Sequence, residues 1–171
     1  MTVFLGIPPN SGIDWTGFSW FPIRNDLEKW IRASCPENST VRVITTNRVH
    51  PMSLFDGLVY LVGHRSDSII ARAGAPESSN LTAGQTSLHR DGWISEVYVN
   101  PLSAYGIAAT IFHELLHNKF QNLVNIHATP DGNFTTATAP YSLGGPSDAD
   151  QNLMCRALKE QSKQYQGALL P

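Results

Sequence analysis

Residues 102–124 read LSAYGIAATIFHELLHNKFQNLV, and this stretch decides the fold. Ile107, Ala108, Ala109, Ile111, Phe112, Leu115, Leu116, Phe120, Leu123 and Val124 put apolar side chains around nearly the whole circumference of a helix, with Asn118 as the break. A surface helix carries its apolar residues on one side, so this pattern predicts a helix that is central and buried. Asn100-Pro101 opens it. Proline suits a first helical position, and either Asn100 or Ser103 can supply the cap.

Upstream of that helix the chain alternates between strand and helix patterns. Thr2 to Ile7 reads as a strand that ends at Pro8-Pro9. The turn-rich stretch from Asn10 to Phe21 holds Trp15, Phe18, Trp20 and Phe21, and is expected to be a loop pinned to the core by its rings. Ile23, Leu27, Trp30 and Ile31 recur at helical spacing, which predicts a helix over 23–33 with Pro36 as its stop. Val41 to Thr45 alternates like a strand, Leu58 to Val62 is a continuous apolar run suited to a strand buried on both faces, and Trp93 to Val99 is a further strand. Between Arg65 and Gly92 the Ser, Ala and Gly content predicts loops, with one short strand at Ser68 to Arg72. Downstream, Ala128 to Ala149 has no Lys or Arg and is rich in Thr, Gly and Pro, the composition of a long loop region. A last helix is expected over about 150–165, with Ser147 or Asp148 as its cap and Gly167 as its stop. The order β, α, β, β, β, α predicts an α+β fold, a mixed twisted sheet packed on a backing helix and on the central helix.

The chain has 171 residues, which makes one domain over 1–171 the expectation, divided into an N-terminal part (1–118) with the sheet and a C-terminal part (119–171). Charged residues are 15% against about 25% in typical soluble proteins, and disorder needs the opposite balance. A net charge of -2 leaves no electrostatic footprint for nucleic acid or an anionic membrane, and a monomer is expected. The longest dense apolar stretch, Gly106 to Phe112, is far short of the ~18 residues of a membrane span. MTVFLGIPPN lacks the basic and apolar regions of a Sec leader, so a cytoplasmic location or export by a dedicated secretion apparatus is expected. Cys35 and Cys155 are too few for a cysteine scaffold or a cysteine zinc knuckle; two free thiols are the expectation, with a single bridge left open. The N-x-S/T sequons at Asn38, Asn80 and Asn133 are what chance yields in a Ser/Thr-rich chain.

The chemistry lies in His113-Glu114-Leu115-Leu116-His117, an HExxH motif. Residues four apart on a helix share one face, so two imidazoles can each bring a nitrogen to ~2.0–2.1 Å from one zinc ion. Glu114 is rotated by ~100° from His113, too far to join easily as a ligand, but able to reach a water on the metal as general base. Two histidines and a glutamate in an otherwise apolar helix need compensation, because unpaired burial of such groups costs several kcal/mol. Gly106 and Thr110, on the histidine side of the helix, are small and leave room near the metal. A catalytic zinc takes three protein ligands and keeps one position open. His127 is the next histidine in the chain and the first choice for the third ligand; Asp131, Asp148, Asp150 and Glu160 are the alternatives. His50, His64 and His89 read as surface or loop histidines.

The motif, with the helix and strands ahead of it, resembles the zincin metallopeptidases, over Ile23 to Asn118 in layout. FHELLHNK is also similar to short metallopeptidase domains among bacterial secreted effectors. The sequence departs from the metzincin pattern HExxHxxGxxH, with Phe120 at the glycine position and Leu123 at the last histidine. Asn152-Leu153-Met154 resembles the metzincin Met-turn, although Leu153, Met154, Ala157 and Leu158 also fit the core face of a helix. The resemblance also implies a tyrosine that stabilises the oxyanion; Tyr141 is the choice and Tyr105 its rival.

These readings lead to one expected activity, zinc-dependent endopeptidase hydrolysis with Glu114 as base. The peptide substrate would pair with the 93–99 strand, and the nearly uncharged loop from Thr129 to Gly145 would set selectivity. Two other classes stay open. A zinc-stabilised binding module without turnover would need a closed four-ligand site, in which Glu114 has no use. A non-peptidase zinc amidohydrolase of deformylase type would need a ligand cysteine ahead of the helix, where neither Cys35 nor Cys155 lies.

Overall fold

The computed structural model describes residues 2–8, 10–16, 18–38, 42–46, 57–72, 74, 83–89, 92–100, 102–120, 124–136, 141 and 143–164. Their elements run β1 (Thr2–Gly6), α1 (Trp20–Ser34), β2 (Arg42–Thr46), β3 (Gly57–Val62), α2 (Ile69–Arg72), β4 (Gly84–His89), β5 (Gly92–Tyr98), α3 (Ala104–Phe120) and α4 (Asp148–Gln164). The fold is mixed α and β. One five-stranded sheet has the order β2-β1-β3-β5-β4. β1 pairs in parallel with β2 and β3, and β3 with β5, while β4 runs antiparallel to β5.

The quoted helix is α3, and it is central as its pattern predicts. Ile107 to Leu116 are all buried, as are Asn118, Lys119 and Phe120. α3 packs on β3, β4 and β5, and on α1, which also reaches β2. Its cap is Ser103, whose Oγ accepts the Gly106 N–H at 3.1 Å. β3 is buried at every position, as a continuous apolar run requires. One core cluster joins Val3, Leu5, Ile23, Leu27, Ile31, Leu61, Val97 and the α3 residues to Phe134, Met154 and Ala157 from the C-terminal part. Each fully buried Leu, Ile or Phe contributes about 1.5–3 kcal/mol.

The structure corrects several sequence expectations. Ser68 to Arg72 is helical after Ser68, not a strand. The Glu96 carboxylate accepts the N–H groups of Ile69 (2.8 Å) and Ile70 (3.3 Å), which gives α2 the partners its first turn lacks. A strand expected to be loop, β4, lies at the sheet edge instead. Its polar sequence GQTSLH hides its pairing, which depends on β5 rather than on its own apolar content. The 93–99 strand (β5) is consequently interior. From Ser95 to Val97 it pairs with β3 on one side and β4 on the other, so its main chain there has no free edge for a peptide. Met154 is fully buried on α4 and belongs to the core; it lies in a helix, not in a Met-turn. In the aromatic segment Phe18 and Trp20 pack on the core, whereas Trp15 and Phe21 are exposed. Residues 47–56, with His50, and the 137–140 part of the loop lie outside the described residues. No helix among the described residues is long and apolar enough to cross a membrane.

Candidate metal centre

His113 and His117 sit one turn apart on the buried part of α3, which fixes their common direction. The Nε2 atoms of the two rings are 3.1 Å apart. His127 comes from a single 3-10 turn, Ile126–Ala128, anchored in the core by the fully buried Ile126. The ring centroids of the three histidines form a near-equilateral triangle, with sides of 4.8, 4.9 and 5.1 Å. One ligand nitrogen from each residue lies within 4.8 Å of the other two.

The hydrogen bonds set the tautomers of two of these rings. His113 Nδ1 is 2.6 Å from the Phe134 carbonyl oxygen, and His127 Nδ1 is 3.0 Å from that of Thr135. A carbonyl can only accept, so both Nδ1 atoms carry the proton, and in the neutral tautomer that this selects, the lone pair is on Nε2. Burial, above all, lowers the His113 pKa to about 4 and the His117 pKa to about 3, so both rings are neutral at pH 7. Neutral imidazoles with outward lone pairs and carbonyl-bound Nδ1–H groups are the donor set that a divalent transition metal takes. Two nitrogens ~2.05 Å from a tetrahedral ion would be about 3.3 Å apart, close to the spacing of the α3 pair. The residues present therefore fit a metal ion.

Glu114 points from α3 toward the edge strand. Thr86 on β4 donates its hydroxyl to Glu114 Oε2 at 2.6 Å. Burial pushes the Glu114 pKa up to about 8, with the charge of Glu96 adding to the rise and the Thr86 hydrogen bond opposing it. Gly84 allows β4 to pass this close. A Cβ there would sit 2.7 Å from the Glu96 carbonyl oxygen and 3.0 Å from Glu114 Oε1. Tyr141 is half-buried, its ring 6.0 Å from that of His113. Burial first, then the charge of Glu114, raises its phenol pKa, with Thr110 opposing the rise, so the hydroxyl stays protonated.

The other candidate ligands lie elsewhere. Asp131 and Asp148 are exposed, and neither belongs to the three-histidine group. Asp150 is buried, with its carboxylate engaged by main-chain amides and hydroxyls. His64 bonds to Asn100, 2.9 Å away. Glu160 is on α4, but its side chain, like that of His89, is outside the described residues.

Sequence reasoning missed the residues that hold Glu114. Asn118 donates to Ser95 Oγ at 3.1 Å, and the Ser95 and Thr86 hydroxyls are 2.7 Å apart. The one available signal was Asn118 itself, a polar residue at the end of an apolar helix. Compared with family models, curated proteins and solved structures, the chain matches none of them.

Proposed function

We propose that this protein is a zinc metallopeptidase of the zincin type. The observation that carries the reading is the convergence of His113, His117 and His127 nitrogens beside a buried carboxylate, Glu114. The layout of α1, the mixed sheet and α3 supports the zincin comparison, with the antiparallel strand β4 at the edge next to the site.

Held by the three imidazoles, zinc would supply a Lewis acid for the scissile carbonyl and lower the pKa of bound water toward ~7. The chain's own residues do the rest. Glu114 takes the proton of the attacking water and passes it to the leaving amine. Its hydrogen bond from Thr86 holds the accepting carboxylate in place through both transfers. Tyr141, kept protonated by burial, donates to the oxyanion of the tetrahedral intermediate. The substrate peptide adds along the outer edge of β4, since β4 pairs with β5 alone among the described residues and crosses over Glu114.

Zinc content and general peptidase activity of the purified protein and of Glu114→Ala test this reading. Equal zinc with activity lost in the variant is the expected result. A wild type that binds no zinc, or activity that survives the substitution, overturns it.

A further inference from the structure

Asp150 is fully buried at the start of α4, and among the described residues no Lys or Arg is paired with it. Among the described residues its carboxylate is held by N–H and O–H groups from two segments. From the 133–135 segment, Asn133 N–H (2.8 Å) and Phe134 N–H (2.9 Å) donate to Oδ2, while Thr135 N–H (3.1 Å) and Thr135 Oγ1 (2.9 Å) donate to Oδ1. From the α4 cap, Ser147 N–H (2.8 Å) and Ser147 Oγ (3.0 Å) donate to Oδ2. Three consecutive amides turned toward one anion fix the peptide planes of that segment. The Phe134 carbonyl shares a peptide plane with the gripped Thr135 N–H, points the other way and receives the Nδ1 proton of His113. The Thr135 carbonyl, one peptide unit further on, receives that of His127.

We propose that Asp150 is the positioning residue of the metal centre, setting the direction and tautomer of His113 through the Phe134–Thr135 peptide unit and, by holding Thr135 at its N–H and hydroxyl, steadying the carbonyl that His127 meets, without touching the ion. The inference rests on the metal reading above and extends it to α4. The C-terminal helix becomes part of the site because the carboxylate that caps it is the one that orders the histidine-facing carbonyls. Only a carboxylate serves, since all six contacts are donors. An asparagine would turn its own NH₂ toward N–H groups on one side.

The test is zinc affinity, read by chelator competition, together with the visible absorption spectrum of the cobalt(II)-loaded protein. Wild type, Asp150→Asn, Thr135→Val and Ser147→Ala are compared, each with its thermal unfolding measured without metal. Asp150→Asn is expected to bind zinc about 10–100-fold more weakly and to shift the cobalt bands, as loss of an outer-shell partner does. Ser147→Ala loses a cap hydroxyl and so lowers thermal stability, but it leaves the grip on 133–135 and keeps wild-type zinc affinity. If Asp150→Asn does not fold, Thr135→Val decides. It removes only the hydroxyl bond to Oδ1 and should weaken zinc binding where Ser147→Ala does not. Wild-type affinity and spectrum in Asp150→Asn, or equal affinities in Thr135→Val and Ser147→Ala, overturn the proposal while the metal reading stands. A wild type that binds no zinc overturns the metal reading itself.

Discussion

Thr86 Oγ1 lies 2.6 Å from Glu114 Oε2, and it ends a hydrogen-bond chain that runs under α3. Thr86 has one proton, and Glu114 in the ionised form that acts as base can only accept, so in that form the proton goes to Glu114. Ser95 then donates to Thr86 across 2.7 Å, and the Asn118 amide donates to Ser95 across 3.1 Å. The direction of every bond follows from the charge at one end. This chain ties the proposed base to the two strands beneath it and to its own helix one turn on.

Thr86→Val removes that donor without changing the volume of the side chain much. Hydrogen bonds to charged groups are worth about 1.5–3 kcal/mol, so peptidase kcat should fall about tenfold or more. Zinc content should not change. An unaltered kcat would show that Glu114 does not depend on this bond.

His127→Ala should weaken zinc binding sharply and leave the fold intact. The His127 side chain is exposed, and the turn that carries it is anchored by Ile126. Chelator competition measures the affinity, and thermal unfolding without metal checks the fold. An affinity equal to wild type would remove His127 from the ligand set.

Phe134→Ala should be among the most damaging core substitutions. The ring is fully buried and meets Trp30 at 4.9 Å, Phe112 at 5.5 Å and Tyr141 at 5.6 Å between centroids. Loss of such a ring costs about 3–5 kcal/mol, readable as a shift in the urea midpoint. A loss below about 1 kcal/mol would contradict this packing.

Cys35 should resist alkylation in the native protein. Burial, then the neighbouring Cys155 thiol, pushes its pKa up to about 11. The thiolate is the nucleophile, so its labelling by iodoacetamide should be slow at pH 8 and rise about tenfold per pH unit toward 11. The stability sign follows, because the folded chain holds this proton where the unfolded one releases it. Stability should therefore decline as pH rises from about 9 to about 11. Rapid native labelling of Cys35 at pH 8, mapped by peptide mass, would contradict it.

Much of the fold was legible because apolar periodicity reports burial directly. The all-round apolar face of 107–116 predicts a buried helix, and α3 is buried there at every position. The run Leu58 to Val62 predicts a strand covered on both faces, as β3 is. β4 was illegible for the converse reason. An edge strand takes its structure from its partner, and GQTSLH carries little apolar signal of its own. α2 was misread because the group that starts it, Glu96, lies on β5, far along the chain.

The same division runs through the site. The shared direction of His113 and His117 is determined by sequence alone, because a four-residue step on a helix is a matter of backbone geometry. The position of His127 beside them, the grip of Thr86 on Glu114 and the engagement of Asp150 by residues 133–135 were decided by tertiary structure. Each joins segments that no local periodicity relates. Buried polar groups must find partners wherever the topology brings them, so these contacts exist only once the sheet, α3 and α4 are packed together.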